Sequence, residues 1–516
     1  MRAAILLVSL ALAGPVHAQG VTPGSIPSSD VAPLADGGFV KAIDTLPEMV
    51  ETVMARSGVP GMAVAIVKDG KVVFRQGFGV RDIRDPKPVT PETVFQVASV
   101  SKSVSASVAA VAVTNGLVSW DDPVGHHLAG FELSDPFVST HATLGDFFAH
   151  RSGLPFAAGD DLEDIGYDRQ QIISRLKYLP LDPFRISYHY ANFGLTVGAE
   201  AIAEAAGMKW ADFAEKALFE PVGMDATSYR YSDAMAAENR AVLHAYEDGK
   251  FVALYDRNAD AQSPAGGLSS TVDDLAKWMT LLLSDGKWHD KQLIASAALA
   301  PAIRPQITSA PGATQNDRSG AYGYGFNVGT TASGRPIRNH SGGFIKGAGT
   351  HFKLLTDAGI GIVVVSNGAP IGASEAIASQ FMDVVQFGET TRDWFAGYSA
   401  MMSPMFAPVG DLVGKPAPQN PVPAAEAGIY TGRFENDYFG AAEIVQTQDG
   451  LELHLGPKPM EMKLSHWDGH TFSIAPLGEN QPKGSLSSVT FAVENNRATA
   501  VRIEYLDDAK QGTWRR

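Results

Sequence analysis

At 516 residues the chain is too long for one hydrophobic core, so two or three domains are expected. A net charge of −15 repels phosphate backbones and argues against a nucleic-acid partner, while 45% hydrophobic and 19% charged residues are ordinary for a globular protein. Cysteine is absent, which excludes disulfides, a thiol nucleophile and thiolate metal sites.

In chain order, residues 1–18 read as an export signal. Arg2 supplies the positive start, residues 3–13 the apolar core, and Val16-His17-Ala18 a small-residue cleavage site. The apolar run is too short to span a membrane, and no later segment qualifies. Export without disulfides fits a periplasmic or secreted enzyme large enough to need no staples. Residues 39–56 carry apolar side chains at helical spacing, and Asp69-Gly70 between two apolar runs predicts a hairpin. Ser99-Val100-Ser101-Lys102 opens a helix of small residues that Asn115-Gly116 stops. A long helical and loop region follows to about Arg304. Within it, residues 271–283 form a Thr-capped helix with Asp273 and Asp274 in its first turn. Strands return at 336–340, 349–355 and 360–366, and a helix at 373–386 closes the unit. The pattern is α+β: an antiparallel sheet flanked by helices, with an inserted helical lobe and a pocket at their seam.

Prolines at 404, 408, 416, 418, 421 and 423 crowd an aperiodic stretch, so residues 401–427 read as a linker. Short β segments at 429–434, 442–445, 451–455, 489–493 and 500–505 follow, punctuated by Asp449-Gly450 and Asp468-Gly469. Many short strands in residues 428–516 predict a small antiparallel β-barrel.

Three constellations carry chemistry. In the first, Ser99 and Lys102 stand three apart on a helix and share a face, so the amine reaches the hydroxyl. A serine is a weak nucleophile until a neighbouring base takes its proton, and a buried lysine with a depressed pKa can be that base. The helix N-terminus adds partial positive charge where an oxyanion would form. The second is Tyr190-Ala191-Asn192, after an aromatic, extended-looking run. The third is His340-Ser341-Gly342-Gly343 on a strand.

S-x-x-K, Y-x-N and H-x-G in this order resemble the serine beta-lactamase and penicillin-binding superfamily, in its class C branch of beta-lactamases, DD-peptidases, D-aminopeptidases and esterases. Phe95-Gln96-Val97-Ala98, His150-Arg151-Ser152-Gly153-Leu154-Pro155, the Pro264–Thr271 turn and Tyr322-Gly323-Tyr324-Gly325-Phe326 resemble further family signatures. The resemblance covers about residues 39–368 and makes 19–400 a serine hydrolase domain. The C-terminal part resembles lipocalin-like barrels attached to some relatives. It implies an acyl-enzyme on Ser99, with Lys102 and Tyr190 sharing the proton work and no cofactor. It also implies an oxyanion hole from the Ser99 and Gly343 N–H groups, and Asn192, Ser341, Gly342 and Gly343 against a small-molecule or short-peptide substrate. A cation near Tyr190 would lower its phenol pKa, and which of Lys102 and Tyr190 is the base stays open.

His340 stands where many relatives carry lysine. A mostly neutral imidazole lacks the fixed cation that binds a substrate carboxylate, though it can hydrogen-bond toward Tyr190. Peptidase or esterase activity is therefore expected over penicillinase or DD-carboxypeptidase activity. A non-turnover sensor of cell-wall peptides is the reading from another class. Thirteen histidines include no H-E-x-x-H, so a metal site is not expected. His150 is read as a loop brace, Asp121 and Asp122 as turn residues, and Gly266-Gly267 as a turn rather than a phosphate loop.

Overall fold

The computed structural model describes residues 31–516, and the export signal expected at 1–18 lies outside them. Eight strands form one antiparallel sheet: β1 (Gly61–Lys68), β2 (Lys71–Gly79), β3 (Ile307–Ala310), β4 (Gly320–Tyr322), β5 (Asn327–Thr330), β6 (Pro336–Phe344), β7 (Ala348–Leu355) and β8 (Ile360–Ser366). Their spatial order is β2-β1-β8-β7-β6-β5-β4-β3. β1, β7 and β8 are buried along nearly their whole length, which suits central strands covered on both faces. Met62, Val64 and Ile66 of β1 pack on one face, while Ala63, Ala65 and Val67 pack on the other. The β1–β2 turn is made by Asp69 and Gly70, both at positive φ (49° and 73°), as the hairpin pair predicts.

Five longer helices complete the domain: α1 (Gly38–Ser57), α2 (Val100–Thr114), α3 (Asn192–Ala206), α4 (Val272–Leu283) and α5 (Ala373–Phe387). α1 and α5 cover the first face. α2, α4 and the inserted lobe around α3 cover the other. The Thr271 hydroxyl caps α4 by accepting from the Asp274 N–H (3.1 Å). The extended-looking run before Tyr190 forms no strand. It is held as a loop between the His150 turn and α3, by His189 N–H to His150 O (3.0 Å) and Ala157 N–H to Tyr190 O (2.9 Å).

The C-terminal unit is an eight-strand meander: β9 (Gly432–Phe434), β10 (Ala442–Thr447), β11 (Gly450–Leu455), β12 (Met460–Asp468), β13 (Thr471–Ile474), β14 (Ser487–Glu494), β15 (Arg497–Ile503) and β16 (Thr513–Arg515). A bridge between Glu435 and Arg515 joins its first and last strands and nearly closes the barrel. The Pro-rich stretch is not a free spacer. Leu412 is buried, Leu486 N–H donates to Val409 O (3.0 Å), and the Asp411 carboxylate accepts the Ser488 N–H and hydroxyl, each at 2.9 Å. Residues 409–412 thus run along the β13–β14 connection as a strap.

The barrel docks on the helical lobe. Gly159 N–H donates to the Tyr438 hydroxyl (3.0 Å), the Tyr167 hydroxyl donates to Phe439 O (2.8 Å), and apolar residues of both units form one continuous core. Trp514 anchors this arrangement from inside the barrel: it is fully buried, stacks on Phe439, and donates from Nε1 to Gly440 O (2.9 Å). Trp514→Ala is expected to cost about 3–5 kcal/mol, read as a loss of barrel stability in denaturant unfolding.

Candidate active site

Ser99 sits at the first turn of α2, after a tight bend. Ala98 is forced to a positive φ of 47°, unusual for a side-chain-bearing residue and worth roughly 1 kcal/mol of strain. The bend is held by Val97 N–H to Leu268 O (2.9 Å), Ser101 N–H to Ala98 O (2.9 Å) and the Thr350 hydroxyl of β7 to Val97 O (2.7 Å). It raises the serine to the cleft floor and buries Lys102 one turn on.

Lys102 is fully buried. Its Nζ donates to Ser99 Oγ (2.9 Å), Asn192 Oδ1 (2.7 Å) and Ala265 O (2.9 Å). Two of these partners are carbonyl oxygens, which can only accept. When the amine is neutral its two N–H bonds therefore stay with Asn192 and Ala265, and the lone pair faces the Ser99 hydroxyl. Burial lowers its pKa to about 7, against a smaller opposing pull from Asp160. The amide of Asn192 is used on both sides: Oδ1 accepts from Lys102, and Nδ2 donates to Asp160 Oδ2 (3.0 Å). Its orientation follows from the ammonium having only protons to offer.

The Tyr190 phenol faces the Ser99 hydroxyl. Lys102 Nζ lies over the face of the Tyr190 ring, 4.5 Å from its centre, not at the phenol oxygen. Burial therefore governs, and it pushes the Tyr190 pKa well above the ordinary tyrosine value. This corrects the expectation that the lysine would favour phenolate. Behind Tyr190 stands an aromatic wall, with His150 4.5 Å from its ring and Tyr322 5.1 Å from His150 between ring centres. His150 Nδ1 accepts the Ala191 N–H (3.3 Å), so it braces the Y-x-N loop, as read from the sequence. The next residue, Arg151, and Arg185 both bond the buried Asp146 carboxylate. Burial alone would raise that carboxyl, but hydrogen bonds from Arg185, Thr143 and Arg151 hold it below the usual carboxylate range.

β6 forms the other wall. Gly342 is essential to its approach, because a Cβ there would lie 2.3 Å from Val97 O and 2.9 Å from Ser99 N. Gly343 lines the same cavity as Ser99. His340 is buried, and burial lowers its pKa to about 3. Nδ1 donates to Ser341 O (2.6 Å), which leaves Nε2 to accept from the Tyr322 hydroxyl (2.9 Å). The expected hydrogen bond toward Tyr190 is thus made to Tyr322, and the two rings stand 6.3 Å apart. Ser341 also departs from expectation. Side chains alternate along a strand, so it turns away from the cleft and meets His351 (2.9 Å) and Glu375 beneath α5.

Residues 46–386 match the beta-lactamase family model. The chain belongs to the beta-lactamase family. It is a serine hydrolase of that family, in which Ser99, Lys102, Tyr190 and Asn192 converge on one cleft. Residues 416–513 match a domain of unknown function (DUF3471). Among relatives, the unguisins hydrolase ungD' of Aspergillus campestris is 27% identical over 77% of this chain and 75% of its own length. The D-alanyl-D-alanine-carboxypeptidase/endopeptidase AmpH of Escherichia coli is 24% identical over 67% of this chain and 89% of its own. A D-aminopeptidase of Gluconobacter oxydans is 24% identical over 64% and 60%. The octameric penicillin-binding protein homologue of Pyrococcus abyssi shares the fold, with a TM-score of 0.59 at 19% identity over 89% of this chain and 98% of that one.

The beta-lactamase-type cleft also contains residues that the motifs do not reveal. Asp160, Glu163, Asp164 and Arg257 of the hydrolase domain line it, and so do Glu479 and Asn480 of the barrel. The acidic run at 160–164 is visible in the sequence, but nothing local directs it to Ser99. Glu479 carries no sequence signal at all.

Two outcomes follow from this geometry. Lys102 accepts the Ser99 proton only when neutral, so acylation of Ser99 by a serine-reactive probe should rise with pH through about 7. It should fall tenfold per unit well below that, as read from labelling rates. Gly342→Ala should push β6 off the Ser99 turn, lowering acylation at least about a hundredfold and the melting temperature with it.

Proposed function

We propose that this chain is an exported hydrolase that cleaves amide or ester bonds of short peptides or small esters through an acyl-enzyme on Ser99. The observation that carries this reading is the buried Lys102 amine, whose one direction not taken by a carbonyl points at the Ser99 hydroxyl. In the proposed reaction Ser99 Oγ attacks the carbonyl carbon as its proton passes to Lys102 Nζ. The tetrahedral oxyanion is held by the N–H groups of Ser99 and Gly343, a pair of donors worth about 3 kcal/mol each. The Tyr190 hydroxyl, facing Ser99, gives its proton to the departing nitrogen or oxygen, and the Lys102 ammonium returns one to the phenolate through the water that enters the vacated leaving-group site. Water then attacks the ester carbonyl, its proton leaves along the same route in reverse, and Ser99 departs with a proton restored. Lys102 is the stronger candidate for base, because its pKa sits near neutrality while burial keeps Tyr190 protonated.

His340 acts here as a positioning residue, holding Tyr322 in the wall behind Tyr190. Its neutrality removes the fixed cation from that position on β6, and the cleft's guanidinium, Arg257, is engaged by Glu163 (2.6 Å), which supports peptidase or esterase chemistry over a carboxylate-bearing beta-lactam or peptide C-terminus. The names of two relatives, a D-aminopeptidase and a carboxypeptidase/endopeptidase, support peptide substrates. Export rests on the signal-like pattern of residues 1–18.

The test is a fluorophosphonate probe followed by mass spectrometry, together with a D-amino-acid amide, a nitrophenyl ester and a chromogenic cephalosporin as substrates. The label should fall on Ser99, and a substrate-derived acyl group should decay in water. An acyl adduct that persists would instead favour a sensor. Ser99→Ala should reduce turnover at least about 10⁴-fold with the melting temperature retained. Wild-type rates in that variant would overturn the mechanism.

A further inference from the structure

The cleft beyond Ser99 narrows to a small cavity of about 70 Å³, room for one small polar head group. Its lining is carboxylate-rich: Asp160, Glu163 and Asp164 come from the lobe, and Glu479 comes from the β13–β14 connection of the barrel. The Glu163 and Glu479 side chains are only 8% and 10% exposed. Arg257 is the one guanidinium among them. It donates to Glu163 Oε2 (2.6 Å) and lies 3.4 Å from Glu479 Oε2 without making a hydrogen bond to it. The Lys346 ammonium comes no closer to Glu479 than 3.9 Å, while the Lys346 backbone N–H donates to Glu479 Oε1 at 3.5 Å.

Carboxylates outnumber cations here: Gln262 Nε2 also serves Glu163 Oε2 (2.5 Å), and the nearest spare donor, Arg257 Nε, is itself buried without a hydrogen bond. Asp160 Oδ1, Glu163 Oε1 and Glu479 Oε2 are buried with no hydrogen-bond partner among the described residues. Buried acceptors without donors are costly, and crowded carboxylates repel. Burial is the main cause of the raised pKa values here, bringing Glu479 up to about 7 and Asp164 to about 6. A ligand bringing N–H donors and a positive charge would relieve both deficits at once. A bare divalent cation fits less well, because among the described residues no three carboxylates or imidazoles converge in a metal-binding group.

We propose that this acidic end of the cleft is a subsite for the free amino group of the substrate, and that the barrel contributes Glu479 to it as a specificity-determining residue. The inference rests on Ser99 being the nucleophile, since the same cavity holds both. It makes the barrel part of the substrate site. Glu479 N–H donates to Asp164 Oδ1 (3.0 Å), and the strap at 409–412 holds the far end of its loop through Leu486, so the carboxylate is placed by the docked barrel.

The test is calorimetric and independent of turnover. Full-length Ser99→Ala protein is titrated with alaninamide, in each enantiomer, and with N-acetylalaninamide. The free amine should bind at least tenfold tighter than the acetylated form for one enantiomer. Adding Glu479→Gln should cut that ratio at least fivefold, and Glu479→Asp should restore most of it. If Glu479→Gln lowers the melting temperature, Asp164→Asn, whose amide oxygen can still accept from Glu479 N–H, should give the same loss. A ratio near one in the Ser99→Ala protein, no binding of alaninamide at millimolar concentration, or a ratio unmoved by both neutral variants would overturn the proposal. Labelling of wild-type Ser99 is scored separately: a label without amine preference removes this inference alone, and no label removes the hydrolase reading beneath it.

Discussion

The structure turns on one buried amine. Lys102 has no access to water, so each of its protons must find an acceptor inside the protein. Those acceptors come from three separate segments: Ser99 on its own helix, Asn192 at the start of α3, and Ala265 in the turn before α4. Satisfying the amine therefore locks the lobe, the α2 helix and the 263–268 turn in one geometry. The same desolvation that demands these partners also brings the amine toward neutrality, and the one partner that is not a carbonyl is the nucleophile. A single physical constraint thus positions the serine and activates it.

The rest of the cleft is arranged around that pair by close backbone approach and by layered packing. β6 comes near enough to the Ser99 bend only because Gly342 has no Cβ. Tyr190 is placed by an aromatic wall and by the doubly bonded Asp146, not by regular secondary structure. The barrel adds a third wall. Its contacts with the lobe through Tyr438, Tyr167 and Phe439 bury side chains large enough to fix its orientation, and its β13–β14 connection enters the cleft as a consequence.

Much of this was legible locally. The Asp-Gly hairpin, the small-residue helix after Ser99, the Thr-capped helix and the alternating barrel strands all appear where their residues require. The tetrad of Ser99 and Lys102 needs only helical spacing. Tyr190 and His340 were named by motif, but their surroundings were not. That His340 bonds Tyr322 depends on which strand lies beside β6. Ser341 was expected to face the substrate; period-two alternation separates it from His340, yet which face holds the cleft depends on the order of the sheet. The Pro-rich stretch lacked periodicity, and the contacts that make it a strap come from residues about 75 positions further on.

By itself the sequence determined the parts whose physics is local: the helix that pairs hydroxyl and amine, the strand patterns that define two β units, and the absence of thiol chemistry. Tertiary structure decided everything set by burial and by distance across the chain. Desolvation shifted the proton affinities of Lys102, Tyr190 and His340. Docking brought a barrel carboxylate into the same cavity as a serine 380 positions away. Spacing along a polymer carries no information about the dielectric around a group or about which remote segment will fill the space in front of it, and those two quantities define this cleft.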